Sequence, residues 1–239
     1  MTLQTNVSAT LLVAEVFGPT LQGEGPSAGR TALFVRLSRC NLSCPRCDTP
    51  YTWNWEKFDI HESTMRMTDD DVLTFVDRHP AVELVVITGG EPLLQQHKLV
   101  GLTRELAARG RRVEIESNGT VAPLPELVAC VGQFNVSPKL AAFAAAEDEL
   151  RRVVPAALTA LAESGKSIFK FVASDIGDLD EIAVLVDRYA LRPVWVMPEG
   201  VTAEGTLSKM RLLADHVINR GWNMTSRLHV LLWGDERGR

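Results

Sequence analysis

The sequence predicts an α/β protein, a partial, open βα barrel of about six parallel strands. Three observations carry that prediction. Short β-branched apolar runs alternate with segments of helical period, the pattern of parallel strands joined by crossover helices. The chain has 239 residues, somewhat short of the roughly 250 that a closed eight-fold barrel takes. The stretch from Asp48 to Met67 shows no regular period, which leaves too little chain for eight repeats.

Ala32–Leu37 reads as the first strand, and Glu83–Ile87 as a buried one that stops at Gly89-Gly90. Val113–Glu116, Gln133–Val136, Ile168–Val172, Val194–Met197 and Leu228–Leu232 continue the series. Helices lie between them. Thr68 is placed to cap one, with Asp69, Asp70 and Asp71 at its positive end and Val72, Phe75 and Val76 as its buried stripe. Leu99, Leu102 and Leu106 space a second, ended by Gly110 in a left-handed cap. Leu207, Met210, Ala214, Val217 and Ile218 mark a third that stops near Gly221. The Ala-rich segment Leu140–Glu147 reads as a loop-to-helix junction, and no internal repeat or low-complexity tract interrupts the pattern.

Composition is that of an ordinary globular chain, 46% hydrophobic and 23% charged, so a single domain over 1–239 is expected. The net charge of −5 argues against broad nucleic-acid binding, which needs a basic face to displace counterions. No basic segment followed by a long apolar run opens the chain, and no stretch reaches the roughly 18 apolar residues of a membrane span. The expectation is a cytoplasmic protein without a nucleic-acid or membrane partner.

In parallel sheets the chemistry sits at the carboxyl ends of the strands. Four clusters fall there: Cys40–Cys47, Thr88–Pro92, Glu116–Thr120 and Ser137–Lys139. Of the four cysteines, three lie between positions 40 and 47 and Cys130 is remote. Cysteines this close pair poorly with one another, and in a reducing compartment they more often bind metal. Cys40-Asn-Leu-Ser-Cys44-Pro-Arg-Cys47 is a C-x3-C-x2-C pattern. Three thiolates on a short loop can hold three irons of a 4Fe–4S cluster and leave the fourth open for a cofactor or substrate. Zinc would want a fourth ligand, from His61 or Cys130, and more often uses paired C-x2-C knuckles. Cys130 otherwise reads as a small core residue at a helix or strand edge.

The cysteine spacing resembles the signature of the radical S-adenosylmethionine (SAM) superfamily. The resemblance implies that Cys40, Cys44 and Cys47 hold the cluster. The open iron would chelate the amine and carboxylate of SAM, whose reductive cleavage gives methionine and a hydrogen-abstracting 5′-deoxyadenosyl radical. Thr88-Gly-Gly-Glu-Pro92 resembles the strand end that meets the SAM amino group. Glu116-Ser-Asn-Gly119 and Ser137-Pro-Lys139 resemble ribose- and carboxylate-contacting segments. The implied cofactor set is Arg46, Cys47, Asp48, Gly90, Glu91, Ser137, Pro138 and Lys139. Arg46 departs from the pattern, since the residue before the last cysteine is usually aromatic and lies near the adenine. A guanidinium plane can stack on a ring in its place.

Outside that motif the chain is similar to the 7-carboxy-7-deazaguanine synthase family. Phe17-Gly-Pro-Thr-Leu-Gln-Gly-Glu-Gly25, Cys47-Asp-Thr49, Tyr51-Thr-Trp53, Leu228-His-Val-Leu-Leu-Trp-Gly234 and Arg237-Gly-Arg239 carry the likeness in order. It implies a barrel of the radical SAM type. The implied reaction is a radical ring contraction of 6-carboxy-5,6,7,8-tetrahydropterin to 7-carboxy-7-deazaguanine, with loss of ammonia and SAM reused. The product serves queuosine and other 7-deazapurines. Gln22 and Glu24 suit the donors and acceptors of a pterin edge, and Arg36 suits its carboxylate or carbonyl. The implied substrate set is Leu21, Gln22, Gly23, Glu24, Arg36, Thr88, His229 and, through the chain terminus, Arg239. Thr49 would hold Mg2+. A flavodoxin- or ferredoxin-type electron donor and a homodimer complete the expectation. Two other readings stay open: a radical SAM activase acting on a protein partner, and a non-enzymatic zinc-binding module.

Overall fold

β-Branched and aromatic runs form strands here where a Gly, Pro or Asp cluster stops them. The computed structural model describes residues 10–234 and 236–238, and the following concerns those residues. The strands are β1 (Thr10–Leu21), β2 (Thr31–Leu37), β3 (Met65–Thr68), β4 (Leu84–Gly89), β5 (Arg112–Ser117), β6 (Gln133–Val136), β7 (Ser167–Ala173), β8 (Val194–Pro198) and β9 (Asn223–Met224). The α-helices are α1 (Ile60–Ser63), α2 (Asp69–Asp77), α3 (Gln96–Ala108), α4 (Pro125–Cys130), α5 (Pro155–Glu163), α6 (Ile176–Tyr189), α7 (Ala203–Asn219) and α8 (Leu228–Trp233).

The nine strands make one sheet in the order β3-β1-β2-β4-β5-β6-β7-β8-β9. Every pairing from β2 to β9 is parallel, while β1 is antiparallel to both β2 and β3. With β3 and β9 at its edges the sheet stays open. The predicted parallel strands through Val194–Met197 correspond to β2, β4, β5, β6, β7 and β8. None of the helices is long and apolar enough to cross a membrane.

Strand alternation gives the sheet two unlike faces. Leu33, Val35 and Leu37 of β2, with Val85 and Ile87 of β4, join the large core under the helices. Their neighbours Ala32, Phe34, Leu84 and Val86 form a small separate cluster with Phe17 packed against it. The Phe17 and Phe34 rings are stacked at 4.8 Å between centroids. Two residues further along β2 and β4, on that same inner face, come Arg36 and Thr88, opposite each other in register. The inner face therefore has an apolar floor and, toward the strand carboxyl ends, a polar rim.

Thr68 caps α2 as predicted, in a reciprocal capping box with Asp71. Three local expectations fail. Ala32–Leu37, read as the first strand, is the second, because β1 precedes it; β1 is twelve residues long and carries Gly18-Pro19 in its course with a register shift between Phe17 and Thr20. Leu228–Leu232, predicted as a strand, is helix α8, since a short apolar run does not by its period separate a strand from a buried helical turn. In α7 the fully buried positions are Thr206, Leu213 and Val217, whereas Leu207 and Ile218 of the predicted stripe are exposed. The stretch from Asp48 to Met67 is mostly irregular as expected, but it contains α1 and contributes the start of β3. Cys130 ends α4, half-buried.

Candidate active site

The carboxyl ends of the parallel strands surround a cleft of about 630 Å³. Of the predicted site residues, Leu21, Gln22, Gly23, Glu24, Arg36, Cys40, Cys44, Arg46, Cys47, Asp48, Thr49, Thr88, Gly90, Ser137, Pro138, Lys139 and His229 all line it. Arg239 lies outside the described residues. Glu91 is fully buried, with its carboxylate occupied by the backbone N–H groups of Leu93 (2.9 Å) and Asn118 (2.6 Å) and by the Ser117 hydroxyl (3.0 Å). It braces two strand-end loops together, and burial raises its carboxyl to about 6.

The cysteine loop leaves β2 and is tied down locally. Gly89 and Gly90 let it pass, because a Cβ at Gly89 would stand 2.0 Å from the Leu37 carbonyl oxygen and one at Gly90 would stand 2.1 Å from that of Arg39. The backbone N–H groups of Gly90 and Glu91 donate to those same two carbonyls, at 3.1 and 2.9 Å. The Leu42 N–H points at the Cys40 sulfur (3.5 Å), and the Asn118 side-chain amide approaches it at 3.8 Å. Such donors are the usual outer partners of an iron–sulfur centre. Burial pushes the Cys40 thiol up to about 12 and raises that of Cys44, so loading with iron would release protons.

The donor chemistry fits an iron–sulfur cluster: three half-buried thiols on one loop, all facing one cleft. Among the described residues, no three His, Cys, Asp or Glu side chains converge on one ion-sized point. A structural zinc takes four protein donors, whereas three thiolates suffice for three irons of a 4Fe–4S cluster. The thiol of Cys47 and the hydroxyl of Thr49 lie 3.7 Å apart. Arg46 sets its guanidinium 5.3 Å from the centroid of the Phe143 ring.

The other end of the cleft is charged. Glu24 forms a close ion pair with Lys170, and Arg227 Nε donates to its second oxygen at 3.4 Å. Arg227 also donates to Asp48 at 2.6 Å and to the Gly200 carbonyl at 2.8 Å. Burial alone would raise the Glu24 carboxyl, but Lys170 and Arg227 override it and hold Glu24 well below the usual carboxylate range. Gln22 donates to Glu116 (3.2 Å), which also accepts from the Thr88 hydroxyl (2.7 Å). The result is an acceptor-rich edge with fixed polarity.

His229 closes this end from α8. A Cβ on Gly23 would stand 2.0 Å from its Nδ1, so the absence of a side chain at 23 lets the imidazole dock. The Leu228 N–H donates to the Gly23 carbonyl and fixes the contact. Burial lowers the pKa of His229, leaving a neutral ring with one donor and one acceptor. Arg36 pairs through Nε with Glu15 of β1 at 2.7 Å. The same carboxylate accepts from the Tyr51 hydroxyl and from Arg237, at 2.7 and 2.8 Å.

Lys170, Arg227 and Glu15 escaped the sequence reading, and Tyr51 entered it only within the motif Tyr51-Thr-Trp53, without a role. One signal pointed to the first: a lysine inside Ile168-Phe-Lys-Phe-Val172 is costly in a buried strand unless it is paired. Arg227 and Glu15 carried no local mark, because the partners of their side chains lie on other segments.

The family profile described as "Radical SAM superfamily" matches residues 35–154. A 7-carboxy-7-deazaguanine synthase of Pyrobaculum aerophilum is 36% identical over 95% of this chain and 96% of its own. The Halobacterium salinarum protein of that name is 36% identical over 90% of this chain and 88% of its own. Among solved structures, QueE from Escherichia coli superposes with a TM-score of 0.71 at 25% identity, covering 92% of this chain and 95% of that one. Nothing in these likenesses favours an activase or a zinc-binding module.

Proposed function

This chain belongs to the 7-carboxy-7-deazaguanine synthase family of the radical SAM superfamily, and from that premise we propose that it converts 6-carboxy-5,6,7,8-tetrahydropterin to 7-carboxy-7-deazaguanine with loss of ammonia. The family is one of SAM and 4Fe–4S enzymes. One observation carries the reading: the Cys40, Cys44 and Cys47 thiols share a single cleft with the polar edge of Gln22, Glu24 and Thr88.

When bound, the cluster and SAM supply the hydrogen-abstracting radical. The chain's own residues bind, orient and shield. Glu24, kept ionised by Lys170 and Arg227, accepts N–H donors of the pterin ring, and Gln22 with Thr88 completes that edge. Arg36 suits the substrate carboxylate or carbonyl, and neutral His229 offers a hydrogen bond from α8. Ser137, Pro138, Lys139, Gly90, Arg46 and Asp48 form the SAM side, and their shared cleft supports that assignment. Glu91 contributes there by bracing the Asn118 loop.

Thr49 is the proposed protein ligand of Mg2+, an ion that often keeps few protein ligands and completes its octahedron with substrate oxygens and water. Its buried hydroxyl beside Cys47 supports a site next to the cluster loop. The queuosine or 7-deazapurine route, a flavodoxin- or ferredoxin-type donor, a homodimer, a single domain over 1–239 and a cytoplasmic location belong to the same reading. The test is anaerobic turnover of the carboxy-tetrahydropterin with SAM and a reductant, followed by product mass. An intact cluster that cleaves SAM yet yields no deazaguanine would defeat the proposal.

A further inference from the structure

Directly after the segment read in sequence as an Ala-rich junction, Leu140–Glu147, stands a carboxylate that none of the chemistry above uses. Asp148 is fully buried, and a buried carboxylate is costly unless strong donors surround it. Its donors come from the cysteine loop. Asp148 Oδ2 accepts from the Ser43 backbone N–H at 2.5 Å and from the Ser43 hydroxyl at 2.9 Å, across 105 residues of sequence. Arg151 pairs with its other oxygen. The Ser43 hydroxyl also reaches Glu147 at 3.5 Å.

Ser43 stands immediately before Cys44, and two residues nearer the strand Asn41 is tied on a different side. Its amide donates to Thr120 at 2.8 Å and its carbonyl oxygen accepts from Asn118 at 3.0 Å. The loop is thus pinned at 41 by the β5 exit and at 43 by the segment after β6. The same segment supplies the Phe143 ring beneath Arg46, a second grip on the loop.

We propose that Asp148 is a positioning residue for the iron–sulfur loop, fixing the Cys40–Cys44 backbone for cluster binding and setting a negative charge beside the cluster. The inference rests on the family's cluster and is independent of the choice of substrate. A carboxylate near the cluster disfavours adding an electron, because net local charge is one of the determinants of cluster potential. Removing the charge while keeping the shape therefore raises the midpoint potential, and removing the acceptor loosens the loop.

The test uses Asp148→Asn and Asp148→Ala in the full chain, reconstituted anaerobically. Iron and sulfide per chain, the EPR spectrum of the reduced cluster and its midpoint potential without SAM are measured beside Tm. Asp148→Ala should lose about tenfold in cluster affinity, the low end for outer partners of metal ligands. Asp148→Asn should keep its iron and move the potential upward, and Asp148→Glu should restore the potential. Wild-type iron content and potential in both the Asn and Ala variants would overturn the proposal. So would Asn and Ala variants that lose iron only in step with Tm, since Asp148 would then serve the fold alone. If Asp148→Ala yields no folded protein, Asp148→Asn with Ser43→Ala decides: unchanged iron, EPR and potential in both overturns it.

Discussion

The two ends of the cleft are built by opposite means. At one end, the cysteines come from one eight-residue stretch and their surroundings are mainly hydrogen-bonding groups: the Leu42 N–H, the Asn118 amide and the Ser43–Asp148 tie. At the other, Glu24, Lys170 and Arg227 come from three separated segments and hold one another by charge, with Arg227 also reaching Asp48 beside the cysteine loop. A soft metal centre needs thiolates at short spacing and a shell that aims them. Recognition of a flat polar ring needs donors and acceptors with fixed polarity, which opposite charges on rigid strands provide.

The sharpest way to break this contrast is at the thiols. Cys44→Ala should abolish turnover and leave reconstituted protein without its 4Fe–4S absorbance, while the charged end stays folded. Measurable deazaguanine from that variant would remove the cluster end from the chemistry. The next largest effect belongs to Lys170→Met. Deleting one member of a buried ion pair typically costs about 3–5 kcal/mol, read as a lower urea midpoint, and here it should also raise the substrate KM more than it lowers kcat. Lys170→Arg should recover most of both. The pH sign follows from Glu24, whose folded pKa lies below its ordinary 4.5. Its contribution is fully present above pH 4.5 and is lost as pH falls below that value.

The contrast also explains what the sequence could disclose. The cysteine loop, the Gly89-Gly90 exit and the parallel strands were legible because each is written in consecutive residues with its own physical signature. β1 was not, since Gly18-Pro19 is normally a stop and only pairing to two neighbouring strands carries the chain through it. α8 was read as a strand because a six-residue apolar run fits either period, and its docking on Gly23 is a tertiary fact. The side chains of Arg227 and Glu15 reach Glu24 and Arg36, 203 and 21 residues away, so the residues next to them in the chain do not mark them.

Glu91 sharpens the comparison at intermediate scale, because it stabilises the cluster end from beneath and does so against a burial cost. Its folded pKa is raised, from 4.5 to about 6. A raised carboxyl contributes its stability below the unfolded pKa and loses it as pH rises through the folded one. Between pH 4.5 and 6 the wild type should therefore lose about 2 kcal/mol, at 1.36 kcal/mol per pKa unit, relative to a Glu91→Gln variant. Parallel urea melts at several pH values measure this. A constant difference between the two proteins across that window would mean that Glu91 titrates as if exposed.

The smallest effect lies at the rim. Arg237 donates to Glu15 at 2.8 Å and stacks its guanidinium 3.9 Å from the Tyr51 ring centroid, linking the tail to the carboxylate that holds Arg36. Its side chain is 55% exposed, so the pair and the stacking together contribute about 1 kcal/mol at most. Arg237→Ala should leave Tm nearly unchanged and raise the substrate KM by a few-fold, without touching cluster potential or SAM cleavage. That pattern would tie the tail to the charged end of the cleft. A variant that instead shifts the cluster's EPR signal while leaving KM alone would show that the two ends are not separable, and the division of labour drawn here would fail.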